Sequence, residues 1–239
     1  LGDGGGSAPQ VDYVPSRPWS ERERLANEKL ALGYYFSGHL FTEYATEARR
    51  LAPTRLADVK GGNGRDTLRL AGIIVSARTQ NTKRGRMGVI MLDDGSAQLE
   101  LMVYSETFDR RRAILKEDTL VFVSGRVREF DGRVSVSAED VMDLAEARAK
   151  AQAALRIDME RGTDVARLKS LLAPYRIDAN GNGNHGNGLS GCRVLVSYRN
   201  GVGCAELAFS EAWRVRPDDA LLVDLKQQAA VRAAAFAYS

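Results

Sequence analysis

Four cations crowd one stretch of this 239-residue chain. Arg78-Thr79-Gln80-Asn81-Thr82-Lys83-Arg84-Gly85-Arg86 carries Arg78, Lys83, Arg84 and Arg86 and no acid. Polar residues fill the gaps and Gly85 allows close backbone approach, a composition suited to tracking a phosphate backbone. A second stretch, Arg128-Glu129-Phe130-Asp131-Gly132-Arg133, sets Arg128 and Arg133 on either side of Phe130, on whose ring a base could stack. Tyr104 offers a further aromatic platform. Charged hairpin tips are also often merely solvated, and the residues alone leave that reading open.

Catalytic constellations do not emerge. Asp93-Asp94 is a paired carboxylate, but two-metal phosphoryl transfer needs another carboxylate nearby. Asp-Asp-Gly-Ser reads instead as a turn. There is no Gly-x-Ser-x-Gly, no P-loop and no His/Cys/Asp grouping. His39 is distant, His185 lies in the loop Asn180–Gly188, and Cys192 and Cys204 are too few for a zinc site. No catalytic residue, metal or cofactor is therefore expected in this chain. The two thiols should be buried and reduced, as in a cytoplasmic protein. Asn200-Gly201 between them signals a hairpin placing Arg199 opposite Val202 and Cys204 opposite Ser197.

The elements that would position these residues follow from periodicity. Residues 1–18 read as flexible linker, with Gly4-Gly5-Gly6-Ser7 and three prolines. Residues 19–64 should be helical: Ser20 and Glu23 form a capping box for a helix to Leu32, and Phe41, Tyr44, Ala45, Ala48 and Leu51 share one face of a second. From Thr67 the period becomes that of strands. Runs at 67–76, 87–92 and 97–104, helical character at 105–115, then runs at 119–127 and 133–138 give the strand and helix order of an OB-fold β-barrel over residues 65–142. An SH3-like barrel or a sandwich needs no helix between the third and fourth strands. Residues 143–156 should be a connecting helix, from Leu144 to Leu155. Residues 157–239 should form a small α+β domain with a helix at Val165–Leu172, the hairpin, a short strand at Trp213–Val215 and a terminal helix capped by Asp218-Asp219.

Bulk properties exclude little. The 34 Lys+Arg and 31 Asp+Glu are spread evenly, so no segment is a polybasic block. No run approaches the ~18 apolar residues of a membrane span. Leu1-Gly2-Asp3-Gly4 has neither a basic region nor an apolar core, so no signal peptide is expected, and the missing initiator Met points to a piece of a longer chain.

Several stretches resemble the alpha subunit of bacterial DNA polymerase III. Glu28-Lys29-Leu30-Ala31-Leu32-Gly33-Tyr34-Tyr35-Phe36-Ser37-Gly38-His39-Leu40 is similar to the element before that family's OB domain, with Leu40 where the family usually has Pro. Thr82-Lys83-Arg84-Gly85, Met87 and Leu92-Asp93-Asp94 resemble its OB signature, which Val123-Ser124-Gly125 and Val141-Met142-Asp143 continue. Ala212-Trp213-Arg214-Val215-Arg216-Pro217-Asp218, with Leu221, Leu222, Asp224 and Leu225, is similar to its extreme C-terminal region.

The resemblance implies a part of a replicative polymerase that works at the replication fork in the cytoplasm, with the catalytic palm upstream and absent here. It implies an OB domain contacting single-stranded DNA and a C-terminal domain docking the tau subunit of the clamp loader. Trp213, Arg214 and Arg216 are then the partner-binding candidates, since Trp and Arg concentrate at interface hot spots. The family's sliding-clamp peptide precedes this region, so clamp binding would fall at or before Leu1. Gln10-Val11-Asp12-Tyr13 imitates that peptide only loosely. The competing reading is the OB module of an aminoacyl-tRNA synthetase or a freestanding nucleic-acid-binding protein. A synthetase would need class II catalytic motifs after Leu144, and none follow.

Overall fold

The computed structural model describes residues 18–19, 21–32, 35, 37–61, 67–83, 85–130, 132–160, 164–177, 191–199, 202–228 and 231–238. Arg84, Asp131, His185, Asn200-Gly201, the Ser20 cap and the stretch 1–17, including its clamp-peptide imitation, lie outside them. The fold is α+β, with an OB-fold sheet and a second, smaller sheet. Helix α1 spans Glu21–Leu32, and a 3-10 turn at Thr42–Tyr44 leads into α2 (Ala45–Leu51).

Five strands, β1 (Thr67–Thr82), β2 (Gly85–Asp93), β3 (Gln98–Val103), β4 (Leu120–Phe130) and β5 (Arg133–Met142), close into a barrel in the order β1-β2-β3-β5-β4. Helix α3 (Ser105–Arg111) links β3 to β4. Closure is made by antiparallel pairing of β1 with β4 and parallel pairing of β3 with β5. Leu70, Ile74, Ile90, Leu92, Leu101, Val123 and Val136 fill the interior. Each buried aliphatic side chain contributes about 1.5–3 kcal/mol of transfer free energy. Gly125 marks a bulge where β4 crosses β5, and a Cβ there would lie 2.5 Å from the Ser137 carbonyl oxygen. No larger residue fits without moving backbone.

The middle of β1 is buried on both faces, which explains its near-continuous apolar run. Leu70 and Ile74 face the interior, whereas Ala71 and Ile73 lie outside, under Phe41, Ala48 and Leu51 of the helical segment. That segment therefore covers the barrel's exterior over the first half of β1 and the start of β4, at Ala71, Ile73 and Phe122. Among the described residues, the outward Val89, Met91, Glu100 and Met102 of β2 and β3 are only half-buried.

The connecting helix is shorter than its sequence suggests. Helix α4 runs only from Leu144 to Lys150, and Ala154–Met159 forms β6, an interior strand of the second sheet. That sheet has the order β8-β7-β6-β9, with β7 (Arg193–Arg199), β8 (Cys204–Ala208) and β9 (Val231–Ala237). Helices α5 (Val165–Leu172) and α6 (Asp219–Lys226) bury Leu168, Leu172, Leu221 and Leu225 against Leu155, Ile157, Val194 and Val196. Asp218 caps α6 as expected, but α6 is not terminal, since β9 follows it. Trp213 ends a 3-10 turn, Glu211–Trp213, rather than a strand, and only Val215 makes isolated bridges, to Arg176 and Cys192.

The hairpin register also differs. Cys204 lies opposite Arg199, and Ser197 opposite Glu206, because the loop takes four residues rather than two. A shift of two leaves every side chain on its own face, so alternation cannot distinguish the registers. Both cysteines are free; Cys192 is buried, but Cys204 is exposed, on the edge strand β8. Burial pushes the Cys192 thiol up to about 11.

A seam of ion pairs joins the parts. Arg148 of α4, only 4% exposed, holds Glu47 of α2 through Nε at 2.8 Å and Nη2 at 2.7 Å. Its Nη1 reaches the Pro217 carbonyl at 3.0 Å and Asp219 at 2.8 Å, and its guanidinium stacks over Phe236. Tyr238 donates to Glu47 as well. Asp143 caps α4 in a reciprocal capping box with Glu146 and also accepts from Arg216 at 2.6 Å.

Candidate nucleic-acid interface

The basic stretch Arg78–Arg86 is not an open loop. Its first residues continue β1 and its last begin β2, so the two strands run on as a hairpin that turns near Lys83. Gly85 sits at φ +110°, a conformation that favours glycine. Strand geometry then sorts the cations by side, because neighbours across a ladder share a face and successive residues alternate. Arg78 pairs with Val89 and Gln80 with Met87, while Asn81 pairs with Arg86 and Thr79 with Gly88.

Arg78 and Arg86 therefore point to opposite sides. Arg86 lies on the side of the core residue Ile90, where it pairs with Asp109 of α3 at 3.0 Å. Arg78 lies on the outward side, and no carboxylate among the described residues pairs with it or with Lys83. Lys83 is exposed at the turn.

Following the ladders across the barrel gives two rows on that outward side. One runs Arg78–Val89–Met102–Ser137–Arg126 through β1, β2, β3, β5 and β4. The neighbouring row runs Ser76–Met91–Glu100–Ser135–Arg128. Four interstrand steps of ~4.8 Å carry each row roughly 19 Å around the curved outer wall, from β1 to β4, the two strands whose pairing closes the barrel. The centre is half-buried Val89, Met91 and Met102; Arg78 and Arg126 end the first row, and Ser76 and Arg128 the second. Tyr104 is 47% exposed, and its hydroxyl lies 4.0 Å from the Met102 sulfur, so the ring borders the apolar centre. Arg126 is partly engaged with Glu139 at 2.8 Å, and Glu100 is the one carboxylate on the rows.

Arg128 and Arg133 belong to the same outward side at the β4–β5 end, since Arg128 pairs with Ser135 and Arg133 lies two residues before it on β5. Arg128 and Arg133 are exposed; the Phe130 side chain lies outside the described set. The structure thus places Arg78, Tyr104, Arg128 and Arg133 on the barrel's outward face, leaves Lys83 at the hairpin turn, and puts Arg86 on the core-facing side of its strand. Sequence reading missed Val89, Met91, Met102 and Arg126. The signal was present in β2, where Met87, Val89 and Met91 alternate with the inward Gly88, Ile90 and Leu92.

Asp93-Asp94 is a structural turn. Asp93 accepts from Gly95 N–H, and Asp94 accepts from Ser96 and Ala97, from Leu56 N–H at 3.0 Å and from Arg49 at 2.5 Å. Burial raises a carboxyl's pKa, but the bonds from Ser96, Leu56 and Arg49 outweigh it and hold Asp94 at about 2. Every donor comes from the turn or from the helical segment, so this carboxylate fastens that segment to the barrel.

The C-terminal candidates divide as well. Arg216 is occupied in the seam with Asp143 and Asp218, and Arg214 is held by Glu211 at 2.5 Å and the Gly191 carbonyl at 2.8 Å. Neither is a free anchor. Trp213 is half-buried, packed edge-on against Phe209 with centroids 6.0 Å apart.

Comparison with known proteins agrees with this layout. Residues 68–144 match the family described as OB-fold nucleic acid binding domain. Residues 188–228 match the family described as DNA polymerase III subunit alpha, C-terminal domain. The chain is 35% identical over 222 residues to DNA polymerase III subunit alpha of Vibrio cholerae, covering 90% of this chain and 18% of that protein. The corresponding subunit of Escherichia coli K12 is 34% identical over 225 residues, covering 91% and 18%. That of Pseudomonas aeruginosa is 35% identical over 231 residues, covering 92% and 18%. The chain thus spans under a fifth of the length of these relatives. With a C-terminal-domain match behind an OB-fold match, and similarity across nine-tenths of its residues, the chain belongs to the DNA polymerase III alpha-subunit family and represents its C-terminal region.

Proposed function

We propose that this chain serves chromosomal DNA replication as the part of a polymerase alpha subunit that holds single-stranded DNA beside a catalytic region lying elsewhere in the parent protein. The observation that carries the proposal is the pair of outward rows. Their apolar and aromatic centre accepts bases, and Arg78, Arg128, Arg133 and the edge Lys83 accept phosphates. This is the strand 2–3 side and the flanking loops through which OB-folds take nucleic acid. The helical segment covers the first half of β1 and the start of β4, and the rows lie beyond it, on β2, β3 and the hairpin ends of β1 and β4.

The second role we propose is docking of the clamp-loader tau subunit by the second sheet and its helices, supported by the family match at 188–228. Clamp contact, if made in cis, belongs to residues at or before Leu1. The chain would act at the replication fork in the cytoplasm, and among the described residues no helix is long and apolar enough to cross a membrane.

The test is fluorescence titration of a labelled single strand with the 239-residue chain. The expected result is salt-dependent binding, weakened in Arg78→Ala/Arg128→Ala and nearly unchanged in Arg86→Ala. Equal losses from both variants would show that the whole hairpin, not the outward side, carries the strand.

A further inference from the structure

Away from the barrel, the second sheet carries an aromatic group flanked by cations that neither the barrel rows nor the seam uses. Lys169 Nζ of α5 stands 5.6 Å from the Trp213 ring centroid, and the Arg176 guanidinium, just past α5, is also at 5.6 Å. Both cations are exposed. Among the described residues no ion pair joins Lys169 to a carboxylate, so its charge remains available to a partner. The neighbouring surface is apolar. Val165, one helical turn before Lys169, is 57% exposed, as is Leu207 of β8. Leu207 lies opposite the core residue Val196, and the Phe209 N–H bonds the Val194 carbonyl. Leu207 and Phe209 are therefore on the same side of the sheet as Trp213's packing, yet Leu207 stays open to solvent.

We infer that this surface docks an acidic segment of a partner protein that also carries an apolar anchor. The partner's carboxylates meet Lys169 and Arg176, and its apolar side chain meets Leu207 beside the indole. The inference rests on the reading of the second sheet as the tau-docking part, and gives that contact its chemistry. One feature favours a protein over a nucleic-acid strand. The indole already carries two cations and the Phe209 edge, so it is not an open platform for a base.

The test titrates purified tau subunit against the full chain and its variants by calorimetry, with single-strand binding and thermal midpoint measured in parallel. Lys169→Glu/Arg176→Glu should weaken tau binding at least tenfold while leaving both parallel readouts unchanged. Leu207→Asp, at an exposed position that leaves the ring cations intact, should do the same, and Lys169→Arg/Arg176→Lys should restore affinity. Tau binding that survives both disruptive variants would overturn this surface while leaving docking by the second sheet standing. Loss of single-strand affinity in place of tau affinity would make it a nucleic-acid surface and overturn the inference. An intact chain that fails to bind tau would remove the docking reading and this inference together.

Discussion

The outward side of the barrel and the seam between its parts use the same residue type for opposite purposes. On the barrel, Arg78 stands on a strand with no carboxylate partner among the described residues, free to meet a phosphate. In the seam, Arg148 is buried, holds Glu47 in a two-point pair, and reaches a carbonyl, a second carboxylate and an aromatic ring. Burial would depress its pKa, but Glu47 and Asp219 overcome this and raise it. The first arginine is an electrostatic handle and the second is a mechanical joint. The lesson is that the location of carboxylates, not the count of cations, decides which arginines remain available for binding.

The comparison breaks most visibly at the joint. Arg148→Ala leaves half-buried Glu47 beside Tyr238 with its main partner gone, and should cost about 3 kcal/mol of stability by urea denaturation, the low end for breaking a buried pair. A loss under 1 kcal/mol would mean that the seam is loosely packed. The same substitution should lower single-strand affinity only through unfolding, which refolded fractions would reveal.

A smaller effect sharpens the contrast at the second joint, Asp94. Its folded pKa of about 2 lies below the ordinary carboxylate value, so its contribution is complete above about pH 4. That contribution, about 2 kcal/mol, is lost as pH falls from about 4 through 2. Asp94→Asn should flatten this part of the stability profile measured by thermal melts. An unchanged profile would place the acid sensitivity elsewhere.

On the binding side, Tyr104→Ala should weaken single-strand affinity by about 1 kcal/mol, the low end for a stacked base, because the ring is half exposed. Stability should hardly move. Destabilisation with unchanged affinity would reassign the ring to packing against Met102.

The barrel was legible because period-2 alternation is strong in β2, β3 and β5, and because the aspartate turn and the helix after β3 punctuate it. Strand β6 was not, since Ala154–Met159 follows an alanine-rich helix without a strong breaker. Strand β9 is mostly alanine, a helix former, and is held extended by antiparallel pairing with β6. The fate of the arginines was equally hidden. Arg148 and Glu47 are 101 residues apart, and Arg216 and Asp143 are 73 apart. No local pattern announces such pairs. Arg214 and Arg216 thus looked like anchors beside Trp213, while Lys169 and Arg176, distant in sequence, are the cations that reach its ring.

The most direct measurement is the salt dependence of single-strand affinity for the intact chain, Arg78→Ala/Arg128→Ala and Arg86→Ala. Each lost phosphate contact on a single strand should lower the slope of log K against log salt by ~0.7. The outward-side account predicts a fall of about 1.4 for the Arg78/Arg128 pair and no change for Arg86, whose guanidinium is already committed to Asp109. A slope that falls with Arg86→Ala, or that is unmoved by the Arg78/Arg128 pair, would contradict it.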